Sequence, residues 1–178
     1  MKLLDKLKSY IPTPETLKQS KSLSFLGDVL DDPNLFHLNR RSVSLAIFWG
    51  VFIGLLPPIP LHTPAAAVAA ILTRANLPLC VAVVWIGNPI TAPIIIYVSY
   101  YIGRLLLQVE PITRLDFTWD WLKGHFGLIW KPYFVGSIFG AFISGLVSFF
   151  ASNFLWRLNV KRKWLRRQRK RNPLAKQK

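Results

Sequence analysis

The sequence predicts an all-α integral membrane protein: proline-broken, re-entrant apolar helices plus a C-terminal transmembrane helix. Three observations predict it. Residues 42–73, 75–103 and 132–156 each contain no Lys, Arg, Asp or Glu, and uncharged runs of this length suit a bilayer. Two of the runs are interrupted by prolines. The 178 residues carry a net charge of +15, and the charge sits at the ends of the runs. A single domain of this length, 52% hydrophobic, has more apolar sequence than a soluble core needs.

Residues 1–41 read as a cytoplasmic segment with short amphipathic helices, carrying 7 basic and 5 acidic residues. Leu3, Leu4 and Leu7 share one helical face, opposite Lys, and Pro12 and Pro14 end that helix. No secretory signal peptide is expected, because the first apolar run begins only at Ser42. Asp31-Asp32-Pro33 reads as a helix start, with Asp32 capping and Pro33 in the first turn. A metal or diphosphate site there would need a second acidic cluster.

In the membrane domain, 42–156, the stretch 42–73 reads as a re-entrant hairpin. The 15 residues before Pro57 give only about 22 Å of helix, too short to span comfortably. Residues 75–106 read as a broken helix that crosses outward, interrupted at Asn88-Pro89. The alternative folds 77–106 into a second hairpin, which would leave the basic tail outside. Residues 108–131 read as an interfacial loop whose Trp residues suit the membrane–water boundary. Residues 132–156 read as a transmembrane helix of roughly 37 Å. The tail, 157–178, holds 11 Lys/Arg and no acid. With Arg40-Arg41 it places both termini in the cytoplasm. Cys80 is the single cysteine, so no intrachain disulfide can form.

The helix breaks are the candidate site. Pro57, Pro60, Pro64, Pro89 and Pro93 free backbone carbonyls, and broken backbone at membrane depth is tolerated only inside protein or beside water. Pro60-x3-Pro64 and Pro89-x3-Pro93 share a spacing and enclose Thr63 and Thr91, as a diverged repeat would. Broken helices of related repeats often frame a transporter's site, and half-helix N-termini suit anions. The candidate ligand contacts are His62, Thr63, Arg74, Asn76, Asn88 and Thr91. Arg74 is the only fixed charge between positions 42 and 103, so an anionic head group is its complement. The bland alternatives are proline kinks, Asn88 as a cap, a hydrogen-bonded His62, and Arg74 snorkelling to phospholipid. Gly136, Gly140, Ser144 and Ser148, continued by Ser152, form a small-residue stripe for helix packing within or between protomers.

Several motifs together resemble a bacterial family, catalogued as domain of unknown function 2062. They are Asn39-Arg40-Arg41-Ser42-Val43, Gly50-x3-Gly54 with Pro57 and Pro60, and Leu72-Thr73-Arg74-Ala75-Asn76-Leu77-Pro78. Asn88-Pro89-Ile90-Thr91-Ala92-Pro93 and Tyr100-Tyr101-Ile102-Gly103 follow. The likeness spans roughly residues 30–107 and is specific in the order Arg-x-Asn-x-Pro, then Asn-Pro-x-Thr-x-Pro. Members of the family commonly have Gln near position 62, where this chain has His62. Some relatives are fused to glycosyltransferase domains, which implies envelope glycan or polyprenyl-phosphate traffic.

The function expected is binding or translocation of an anionic, phosphate-bearing envelope lipid by a multi-pass protein of the bacterial inner membrane. A non-transporting scaffold that recruits an envelope-biogenesis enzyme is the alternative. No catalytic motif, metal ligand set or cofactor site is present in the pattern, so an enzyme is not expected. The partners expected are anionic membrane lipids, with a second copy of the chain to enclose a path. Nucleic acid is not expected at the tail, whose charge suits orientation and anionic lipid.

Overall fold

The structure, a computed structural model, describes residues 33–57, 61–110 and 119–171. These form a 3₁₀ turn, Pro33–Phe36, and five helices: α1, Arg40–Gly54; α2, His62–Thr73; α3, Leu77–Val84; α4, Ala92–Leu107; and α5, Trp119–Arg171. No strand occurs among the described residues.

Each boundary has a local cause. Asn39 caps α1, its Oδ1 accepting from the Ser42 N–H at 2.8 Å. The helix stops before Leu56-Pro57, because the residue preceding a proline avoids helical backbone. Pro64 and Pro93 sit in the first turns of α2 and α4, where no N–H is required. Asn76 caps α3, accepting from the Leu79 N–H at 3.0 Å, with Pro78 in its first turn. α2 ends in a left-handed residue, Arg74, with φ 54°. The N–H groups of Arg74 and Ala75 return to the carbonyls of Ile71 and Ala70, at 3.2 and 2.8 Å, so the end of α2 is closed on itself.

The contacts fix the direction of every helix. Asn76 donates its N–H to the Ser42 carbonyl, and Gly87 abuts the Gly54 carbonyl. α3 therefore starts beside the start of α1 and ends beside its end: the two are parallel, and α2 returns between them. Phe142 meets Phe48 and Phe52, while Phe149 to Arg157 face Arg40 and Arg41. α5 thus runs antiparallel to α1. Gly103 abuts Pro132 and Ser99 abuts Gly136, so α4 is antiparallel to α5 and continues in the sense of α1 and α3. Residues 77–107 thus run in one direction in two helical pieces, α3 and α4.

Small residues let these helices touch. Ala46, Ala66, Ala67, Ala70 and Ala75 pack with Leu77, Cys80 and Val84 in the core, and Leu35 of the 3₁₀ turn joins them. At the α4–α5 crossing, a Cβ on Gly103 would overlap the Pro132 carbonyl, and one on Gly136 would overlap the Ser99 carbonyl. The outside is apolar: Ile90 is 86% exposed, Leu72 78% and Ile94 68%, an inversion of the soluble pattern. Within α5, Ile129–Leu165 is long and apolar enough to cross a membrane.

Three expectations need correction. The stretch 108–131 is not a loop throughout, because α5 already begins at Trp119. The helix expected over 132–156 is the middle of a helix of 53 residues. Pro132 does not start it, since its backbone is covered by Gly103 of α4, and neighbouring helices make an internal proline tolerable. Nor does it end at Trp156: Lys, Arg and Leu are good helix formers, and the tail stays helical through Arg171. The stripe on α5 is spent partly inside the chain, with Gly136 against α4 and Gly140 against Ile102. Ser144 and Ser148 are half-buried. The helices expected in 1–32, the Asp31-Asp32 cap and Pro60 lie outside the described residues.

Candidate functional site

The helix breaks form one end of a four-helix layer. His62 Nε2 lies 3.1 Å from the Pro57 carbonyl oxygen. That oxygen can only accept, so Nε2 carries the proton and donates. Asn88 Oδ1 accepts from the N–H groups of Ile90 and Thr91, at 2.8 and 3.2 Å. Its Nδ2 donates to the Trp85 carbonyl at 3.4 Å. The Thr91 hydroxyl donates to the Ile86 carbonyl and accepts from the Asn88 N–H. Three carbonyls at the breaks, those of Pro57, Trp85 and Ile86, are thus taken by neighbouring side chains. A cavity of about 20 Å³ remains among Gly54, His62, Gly87, Ala92 and Tyr133, room for about one water.

The opposite end is different. Arg40, Arg41, Arg74 and Arg157 gather there around the first turn of α1. Between the ends of α1 and α2 lies a cleft of about 560 Å³, lined by Asn39, Arg41, Ser42, Thr73 and Arg74. Between α1 and α5 lies a second, of about 720 Å³, lined by Arg40, Arg41, Asn153 and Arg157 over Phe149, Phe150 and Phe154. Arg41 borders both. No Asp or Glu occurs from 33 to 109, so among the described residues these guanidiniums have no carboxylate partner. The Ser42 side chain is 2% exposed, and its hydroxyl has no hydrogen-bond partner among the described residues. Unpaired cations around a helix N-terminus make an anion site with forked donors.

The structure therefore divides the predicted constellation. His62, Asn88 and Thr91 meet at the breaks with Pro57, Pro64, Pro89 and Pro93, and Thr63 lies one residue into α2. Arg74 and Asn76 lie at the other end, separated from Asn88 by the length of α3. One head group cannot sit between Arg74 and Asn88. Asn76 is 2% exposed and is committed to capping α3.

Sequence reasoning used Arg40 and Arg41 for orientation and, with Asn39 and Ser42, as a motif of the family resemblance, but gave none of these four, nor Asn153 or Arg157, a ligand-contacting role. The signal was available. The rule that keeps basic residues on one side of a membrane also places them at one end of the fold.

No metal-binding group of three or more His, Cys, Asp or Glu occurs among the described residues. Neither the curated proteins nor the solved structures contain a match to the chain. Residues 23–165 match the family described as an uncharacterized protein conserved in bacteria (DUF2062), and over most of its length the chain belongs to that family.

Proposed function

We propose that the chain is a multi-pass protein of the bacterial inner membrane, and that it binds or translocates a phosphate-bearing lipid by its head group at the arginine end. The observation that carries this reading is the gathering of Arg40, Arg41, Arg74 and Arg157 at one end, bordering open clefts, in a stretch without carboxylates. On this reading the arginines mark the cytoplasmic interface. α1 and α2 are the re-entrant hairpin. α3 and α4 together match the rise of α5 from Asn153 to Pro132, about 32 Å, which is enough to cross a bilayer. Both termini then lie in the cytoplasm. The breaks, tied by His62, Asn88 and Thr91, become framework rather than binding site. The role is binding or transfer, not catalysis.

Native mass spectrometry of the purified protein tests this. Wild type is expected to retain a phosphate-bearing lipid that Arg41→Ala and Arg74→Gly lose, while folded Asn88→Ala keeps it. Bulk phospholipid held equally by all four proteins would sink the reading.

A second reading has its own observation. α5 continues as helix for 14 residues beyond Arg157, about 21 Å, further than a Debye length of about 8–10 Å. Its outer turns stand beyond the reach of a lipid surface, where they could recruit an envelope enzyme. A scaffold of this kind predicts that deleting 158–178 abolishes function while Arg74→Gly spares it.

A further inference from the structure

The cleft at Arg41 and Arg74 has a second space beside it. Leu72 and Thr73 line it, and the same two residues line a cavity of about 500 Å³ along the outer seam of α1 and α2. That seam passes Val68, Ala65 and Trp49 and ends at Leu61. Its one hydroxyl, that of Thr73, donates to the Ala69 carbonyl at 2.6 Å and so presents no free donor. The two spaces adjoin at Leu72 and Thr73, the one cationic and the other apolar, and together they outline a path.

We propose that this path holds one lipid, with its phosphate between Arg41, Arg74 and Ser42 and one apolar chain lying along α2 toward Leu61. The inference rests on the lipid reading above and names the place and the ligand class. Four features of the head site fit a phosphate. Two guanidiniums border it with no carboxylate beside them among the described residues, and guanidinium forks match phosphate oxygens. The buried Ser42 hydroxyl lacks a partner. The Ser42 N–H is taken by the Asn39 cap, but the N–H groups of Arg40 and Arg41, ahead of it in the first turn of α1, have no acceptor within the helix. Two of the C-terminal carbonyls of α2, those of Ile71 and Ala70, are bonded by the N–H groups of Arg74 and Ala75, which leaves fewer of them to repel an anion.

The backbone adds an independent point. Arg74 adopts a left-handed conformation that glycine reaches without penalty. An arginine stands where glycine would serve the turn better, as a residue held for its side chain would. The tail site fits a chain by length and chemistry. The 12 residues of α2 give a seam of about 18 Å, and Leu72 and Leu61, at its two ends, are 78% and 61% exposed. Free phosphate would leave the seam empty, and an uncharged lipid would leave the arginines unpaired.

The test measures equilibrium binding by native mass spectrometry in detergent, with hexadecyl phosphate, hexadecanol and butyl phosphate as probes. Val68→Trp and Ala65→Phe fill the seam from exposed positions, and circular dichroism checks that both fold. Wild type is expected to prefer hexadecyl phosphate to either other probe. Both seam variants and Arg74→Gly are each expected to bind it about tenfold more weakly. Seam variants that bind like wild type while Arg74→Gly fails would overturn the chain path and leave the head-group reading standing. Butyl phosphate bound as tightly as hexadecyl phosphate would do the same. Arg41→Ala and Arg74→Gly both binding like wild type would overturn both.

Discussion

At one end of the bundle, His62, Asn88 and Thr91 each bond a carbonyl that a helix break has freed. At the other, Arg40, Arg41, Arg74 and Arg157 meet no carboxylate among the described residues. The first end holds a void of about 20 Å³, the second clefts of about 560 and 720 Å³. The break end looks more like a site in sequence, because prolines and polar residues stand out in apolar runs. In three dimensions the polar side chains of His62, Asn88 and Thr91 are occupied by backbone groups beside them. The arginine end looks like mere topology in sequence, yet it keeps both its charge and its space. Irregular backbone shows where polar groups are needed; unanswered charge shows where a ligand can be held.

Substitutions can break this comparison. The largest effect is expected for Gly87→Ala, whose Cβ would overlap the Gly54 carbonyl. Overpacking backbone on backbone should cost about 3 kcal/mol, read as a lower unfolding temperature in detergent, with lipid retention per folded molecule unchanged. Asn88→Ala removes the partner of two N–H groups and one carbonyl, and should cost about 2 kcal/mol in the same assay. If it instead abolishes lipid retention in a folded protein, the break end is a site and the comparison fails. Arg74→Gly should separate the two ends most clearly. It relieves the left-handed backbone and should stabilise by about 1 kcal/mol, while lipid binding falls. The smallest effect is expected for His62→Phe, which loses one hydrogen bond, about 1 kcal/mol, with no change in binding.

Much of the fold was legible because prolines and caps act locally. Pro57, Asn88 and Pro93 were read as breaks or caps in the sequence and stand at helix boundaries in the structure, whereas Asn39 and Asn76, read as a family motif and a ligand contact, turn out to be caps. α5 was misread because a proline does not end a helix whose neighbour covers it. Gly103, four helices into the chain, makes Pro132 tolerable, and no local pattern announces that contact. The site was half legible. Arg74 was identified by its isolation among apolar residues, and its complement was read as anionic. Its neighbours were not, because Arg41 and Ser42 lie 33 and 32 positions away in sequence and become adjacent only when α2 folds back on α1. Asn88 and Arg74 are close in sequence and far apart in space because α3 lies straight between them.

The level of the breaks also marks a change in girth. Among the described residues, α1, α2, α3 and α5 lie on the arginine side of it, and α4 and α5 continue on the other. The described helices thus taper from four to two. Set in a bilayer, such a wedge would displace more lipid from one leaflet than from the other. The surrounding sheet would then bend toward the narrower side, and the protein would favour curved or laterally compressed regions of membrane.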